Sequence, residues 1–311
     1  MFKKLRIEFF FISRLFRDNL VLYFPQYIKN RFFVTYLLKR LSKFEYEVDD
    51  KIELHSLCQK SDLWMLACSL ESFLYHSGLH PKIVIHDDGS IDDETTMLIE
   101  SKFSGLKVLC KKKADELIKN FPGMTEKVIS YRNNGHIMMM EFMDIFLLSK
   151  TENVIVYDSD MLFFKKPEEV INFFKDGSGL DALISPQNGA YDLKMDESYS
   201  KQYGLLAKRV GYMNPGLIIY KKEAITFDRF LEYFDHTTRN VEDYFVGMTA
   251  WGCLVSQVNF EILPLEKYIL KGRPDVNTIM KHFTSPRRHE LYAYGIDMIK
   301  SIKYDSQNSQ K

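Results

Sequence analysis

Tyr157-Asp-Ser-Asp-Met161 places two carboxylates two residues apart at the end of a short apolar run, Asn153-Val-Ile-Val-Tyr157. In an extended chain, positions i and i+2 project to the same side. Asp158 and Asp160 can therefore converge on one hard cation just past the strand, with Ser159 between them. Carboxylates combined with diphosphate oxygens suit Mg²⁺ or Mn²⁺; the plainer alternative is a solvated acidic turn. His86-Asp87-Asp88-Gly89-Ser90 is a second candidate. Acids at a strand end accept hydrogen bonds from a nucleobase N–H or a ribose hydroxyl, although Asp-Gly chemistry equally makes a simple turn. In Gly211-Tyr-Met-Asn-Pro-Gly216, Asn214 offers the donor and acceptor that sugar hydroxyls need, and Gly216 permits close backbone approach. In Lys281-His282-Phe283 and Pro286-Arg287-Arg288, an imidazole can complete a metal shell and guanidinium groups can neutralise a diphosphate.

These residues need elements to hold them. Lys51–Leu57 reads as a strand, followed by a helix capped by Ser61 and stopped by Gly78. Further strands are expected at 82–86, 105–110, 153–157, 181–185 and 217–220. A Met-rich helix is expected at 136–150, and another helix with Pro167 in its first turn. Strands alternating with helices predict an open α/β sheet, whose ligands bind beyond the carboxyl ends of the strands. Haloacid-dehalogenase-type phosphatases also carry D-x-D after an apolar strand, but near the domain start and followed by small hydroxyl residues. Here Met161-Leu-Phe-Phe164 follows, at mid-chain.

The 311 residues are 46% hydrophobic and 27% charged, enough for a sizeable core, and Lys+Arg and Asp+Glu balance at 42 each, which argues against a nucleic-acid partner. The four scattered cysteines read as reduced thiols. With no apolar leader or cleavage site at the N-terminus, a cytoplasmic chain is expected. Residues 1–44 carry ten basic side chains against two acids, a net +8, among twelve aromatics. No stretch there reaches the roughly 20 apolar residues that span a bilayer. The expectation is a basic, aromatic helical extension over 1–50. It could lie on an anionic membrane at the inner face or pack on the main domain. The polar tail, 305–311, is expected to be disordered.

The order of the motifs is more specific than any one of them. DDGS, an arginine (Arg132) before a helix, VIVYDSDMLFFKKP, MNPGLIIY, LP-x-x-x-Y and KHF-x-x-PRR together resemble the GT-A glycosyltransferases, over residues 51–295 or so. The resemblance implies a Rossmann-like, mostly parallel central sheet with flanking helices over 51–304, and a nucleotide-sugar donor, a UDP-sugar favoured. It implies Mn²⁺ or Mg²⁺ held by Asp158, Asp160 and His282. Asp87 and Asp88 would meet the nucleoside, Arg132 and Arg287 the diphosphate, and Asn214 and Gly216 the donor sugar. The acceptor would be a glycan or a lipid-linked sugar. Many members carry Glu-Gln before the LP segment. This chain has Gly247-Met248 there, which leaves Glu242 and Asp243 as the nearby acids for an acceptor-side base. A nucleotidyltransferase or a catalytically inactive carbohydrate-binding relative are the alternatives.

Overall fold

The computed structural model describes residues 2–299 apart from 176, 192, 197, 199–200, 202–210 and 237–241. The tail at 305–311 lies outside the described residues. A seven-stranded sheet runs in the order β3-β2-β1-β4-β7-β6-β8. Its strands are β1 (Asp49–Cys58), β2 (Pro81–Asp87), β3 (Leu106–Leu109), β4 (Asn153–Tyr157), β6 (Ala182–Pro186), β7 (Met213–Lys221) and β8 (Phe260–Ile262). Four of its six pairings are parallel; β7 runs antiparallel to β4 and β6.

β4 shows why this sequence makes such a sheet. Every residue of Val154–Tyr157 is fully buried, which is the signature of a strand covered on both faces. Ile155 and Tyr157 face one core, and Val154 and Val156 face the other. Helix α3 (Leu63–Ser77) covers the first face, along with α1 (Phe2–Arg17) and α2 (Phe24–Arg40). Between β3 and β4 lie α5 (Lys111–Lys119), α6 (Glu126–Asn134) and α7 (Ile137–Leu148), after α4 (Asp93–Glu100) between β2 and β3. The second face is covered by α7, α9 (Phe227–His236) and α10 (Tyr244–Val255), with α8 (Glu168–Phe173) preceding β6. A small sheet, β5-β10-β9, joins Met161–Phe163, Met280–His282 and Tyr268–Ile269.

Several boundaries differ from the sequence reading. Ser61 sits in a 3-10 turn, and α3 starts behind Asp62, whose carboxylate is taken by Arg288 rather than by the helix's own N–H groups. Gly78 does end α3, with φ 65, the left-handed conformation that glycine adopts without a Cβ penalty. Pro167 precedes α8 as its N-cap instead of opening it. β7 begins at Met213, so Asn214-Pro-Gly216 lies inside the strand, with the register shift falling in its pairing with β6.

The N-terminal segment is two helices whose inner faces belong to the main core. Phe11, Leu15, Tyr27, Val34 and Leu38 are buried. Asn30 Nδ2 donates to the Tyr292 carbonyl at 2.8 Å, and the Arg31 guanidinium lies 4.9 Å from the Tyr292 ring centre. Those partners lie in the C-terminal helical stretch 288–299, which contains a π turn at Leu291–Gly295.

Candidate functional site

The chain leaves β1 toward β2 and β3, and returns to β1's other side with β4. This strand-order reversal opens a crevice beyond the carboxyl ends of β1 and β4. A cavity of about 390 Å³ occupies it, floored by Leu57 and Cys58 of β1 and by Asp158, Ser159 and Asp160 after β4.

Backbone bonds fix the acidic loop. Asp158 N–H donates to the Gly216 carbonyl at 2.8 Å, and Phe283 N–H to the Asp160 carbonyl at 2.7 Å. β10 runs antiparallel to β5 with His282 opposite Met161, which carries the imidazole back over the residue just before the strand. His282 Nε2 lies 2.9 Å from Asp160 Oδ1 and 3.2 Å from Asp158 Oδ2. One ligand atom from each of the three residues falls within 4.8 Å of the others. Two carboxylates and one imidazole are an oxygen-rich donor set that fits Mn²⁺ or Mg²⁺.

The charges are balanced by the protein itself. Burial disfavours the His282 cation, but hydrogen bonds and attraction from Asp158 and Asp160 outweigh it and raise its pKa to about 10. Asp160, 5% exposed, also accepts from Arg288 Nε at 2.8 Å, and Arg288 Nη1 reaches Asp62 at 2.8 Å. Burial opposes its charge, yet Arg288 and His282 hold its carboxyl well below the usual range. Glu141 of α7 lines the same cavity and hydrogen-bonds Asp158. Burial first, then the Asp158 and Asp160 charges, push its carboxyl well above the ordinary value.

Other expected site residues are placed differently. Asp88 lines the cavity, but Asp87 is buried and accepts from Gly89 and Ile91 N–H, so it shapes the turn. Arg132 is committed to Asp144, Asp115 and Asn133 and does not line the cavity. Arg287 turns to Glu290, and its neighbour Arg288 faces the cleft. Asn214 spends its amide on Gln187 and accepts from Gly216 N–H. Glu242 is exposed and Asp243 caps α10 through Phe245 N–H while pairing with Lys194; of this stretch only Tyr244 reaches the cavity. The sequence reading noted Arg288 only as part of the Pro286-Arg287-Arg288 motif and gave the diphosphate to Arg287; it missed Glu141 and Asp62. Glu141 carried a signal: it is one of two acids inside the apolar run Ile137–Leu148, and buried acids are rare without a partner.

Gly216 is tight against the imidazole instead of a sugar. A Cβ there would lie 2.7 Å from His282 Nδ1 and 2.9 Å from Asn214 Oδ1. Gly216→Ala is therefore expected to push the ring off Asp160, costing about 1–3 kcal/mol as overpacking does. A lowered melting midpoint together with weaker Mn²⁺ binding checks this; an unchanged protein would show the contact to be slack.

No family model matches the chain, and no curated protein matches it in sequence. Solved structures match by shape. The apo structure of the bifunctional glycosyltransferase WbbM superposes with a TM-score of 0.50 at 12% identity, covering 78% of this chain and 47% of that one. Galactosyltransferase LgtC with donor and acceptor sugar analogs gives 0.47 at 11%, covering 78% and 95%. Mouse xyloside xylosyltransferase 1 in apo form gives 0.46 at 11%, covering 76% and 98%. This chain thus spans just under half of WbbM. By its sheet and by the WbbM superposition, the chain has the α/β fold of the GT-A glycosyltransferases.

Proposed function

We propose that the protein is a metal-dependent glycosyltransferase that takes a nucleoside diphosphate sugar, a UDP-sugar favoured, and passes the sugar to a glycan or lipid-linked acceptor. The observation that carries this reading is the meeting of Asp158, Asp160 and His282 at the mouth of the β1–β4 crevice. It is the donor set of a site for a cation and a diphosphate, at the edge where this sheet type receives nucleotides.

Transfer breaks the bond between the anomeric carbon and the diphosphate, and negative charge grows on the leaving group. A divalent cation held by Asp158, Asp160 and His282 supplies Lewis-acid stabilisation of that charge when bound. Arg288, beside Asp160 and facing the cavity, adds a fixed positive charge that needs no reorganisation. Asp88 and the Leu57–Gln59 edge of β1 line the part of the cleft next to the β2 turn and accommodate the nucleoside. Glu141, at the cavity wall and hydrogen-bonded to Asp158, holds that carboxylate in place. The acceptor hydroxyl oxygen bonds to the anomeric carbon as the bond to the diphosphate breaks, and the hydroxyl proton passes to the departing diphosphate or to water.

The test is a panel of nucleotide sugars with Mn²⁺, scored for nucleoside diphosphate release. One donor should stand out, and chelation should remove its turnover. If every donor stays intact with and without candidate acceptors while nucleotide binding persists, the chain binds without transferring and the proposal fails.

A further inference from the structure

We infer that the outward face of α2 is a docking surface for an anionic lipid bilayer. Every third or fourth residue of a helix shares a face. On α2 that rule separates Tyr27, Asn30, Val34 and Leu38, all buried, from Lys29, Phe32, Phe33, Tyr36, Lys39 and Arg40, all exposed. Phe32 is 72% exposed, Phe33 59% and Tyr36 56%. Solvent-facing aromatics in this density are costly unless something covers them. Among the described residues the core does not cover them: the opposite face of α2 packs against Tyr292 and its neighbours.

Charge selects the occupant. From Asn19 to Phe44 the sequence contains no Asp or Glu, so every charge that α2 itself brings to the aromatic face is positive. Aromatic rings between lysines and arginines suit the interface of a bilayer with anionic headgroups: the rings enter the headgroup boundary and the cations meet phosphates. No described helix is long and apolar enough to cross a membrane, so the contact is at the surface. At about 1.5 Å per residue the 17-residue helix offers a flat strip about 25 Å long. The inference is independent of the donor and of catalysis.

Deleting the segment would strip a wall from the core, so the test uses the full chain. Wild type, Lys29→Gln/Lys39→Gln/Arg40→Gln and Phe32→Ser/Phe33→Ser/Tyr36→Ser are sedimented with phosphatidylglycerol/phosphatidylcholine vesicles and with phosphatidylcholine alone. Oligomeric state is measured in parallel by light scattering. Wild type should sediment with the anionic vesicles only, and release as salt rises from about 0.1 M to about 1 M and the Debye length shrinks to about 3 Å. Three lost charges at about 1 kcal/mol each predict a partition roughly a hundredfold weaker for the charge variant. The aromatic variant should also release, and both should keep the wild-type melting midpoint. Equal partition into both vesicle types, or none into either, overturns the inference. A stable dimer broken by the aromatic variant without vesicle binding would assign the face to a second copy instead.

Discussion

Asp160→Asn is expected to abolish the dependence of nucleoside diphosphate binding on Mn²⁺ and to lower turnover by a factor of roughly a thousand, the upper end of what losing one transition-state stabilising group costs. Asp160 holds one end of the proposed metal site and is also the shared partner of His282 and Arg288. Asn preserves size and removes the charge that both cations face. Removing one member of a buried ionic set costs about 3–5 kcal/mol, so the metal-free variant should also melt earlier. The pH response separates this from general damage. His282 has a folded pKa of about 10, above its ordinary 6.5. Its stabilising contribution is fully present below 6.5 and disappears as pH rises through about 10. Metal-free wild type should therefore lose stability across that window, and Asp160→Asn should respond less. Binding of Mn²⁺ competes with the same proton, so its apparent affinity for wild type should rise over the same window. Calorimetric titrations with equal, metal-independent nucleotide binding in both proteins would sink the assignment.

What could be read from the sequence was what depends on local pattern. The apolar run Val154–Tyr157 announced a doubly covered strand, and the D-x-D spacing announced two carboxylates at its end. The position of His282 beside them came from motif order, since no local pattern ties residues 122 apart. The small sheet that delivers His282 was not legible, because strands of two or three residues are too short to show a period. Gly216 looked like room for a ligand and is room for an imidazole. The role of Asp62 depended on Arg288, 226 residues away. In the N-terminal helices the sequence mixes aromatics and cations without a visible order. The order emerges once the C-terminal helical stretch shows which face it takes.

The adjacent arginines provide an internal control for the charge proposed to face the diphosphate. Motif order favoured Arg287, but the phase of the turn decides otherwise. Ser285–Arg287 is a 3-10 turn that passes directly into the helical stretch, and it directs Arg287 back to Glu290 and Arg288 into the cleft. Arg288 binds Asp160 through Nε and Asp62 through Nη1, so its plane is fixed between two carboxylates before any ligand arrives. A planar guanidinium held this way presents charge without paying to orient it. Arg288→Ala is expected to cut kcat/KM for the preferred donor by roughly a hundredfold to a thousandfold, the range for losing one preorganised group at a developing charge. Arg288→Lys restores the charge without the fork geometry and should recover only part of that loss. Arg287→Ala breaks its contact with Glu290 and should leave turnover within a few-fold of wild type, its effect confined to a small drop in melting midpoint. Steady-state kinetics and thermal melts on the three variants decide the matter. A larger kinetic loss for Arg287→Ala than for Arg288→Ala would return the diphosphate contact to Arg287 and reduce the Arg288–Asp160 pair to a structural bond.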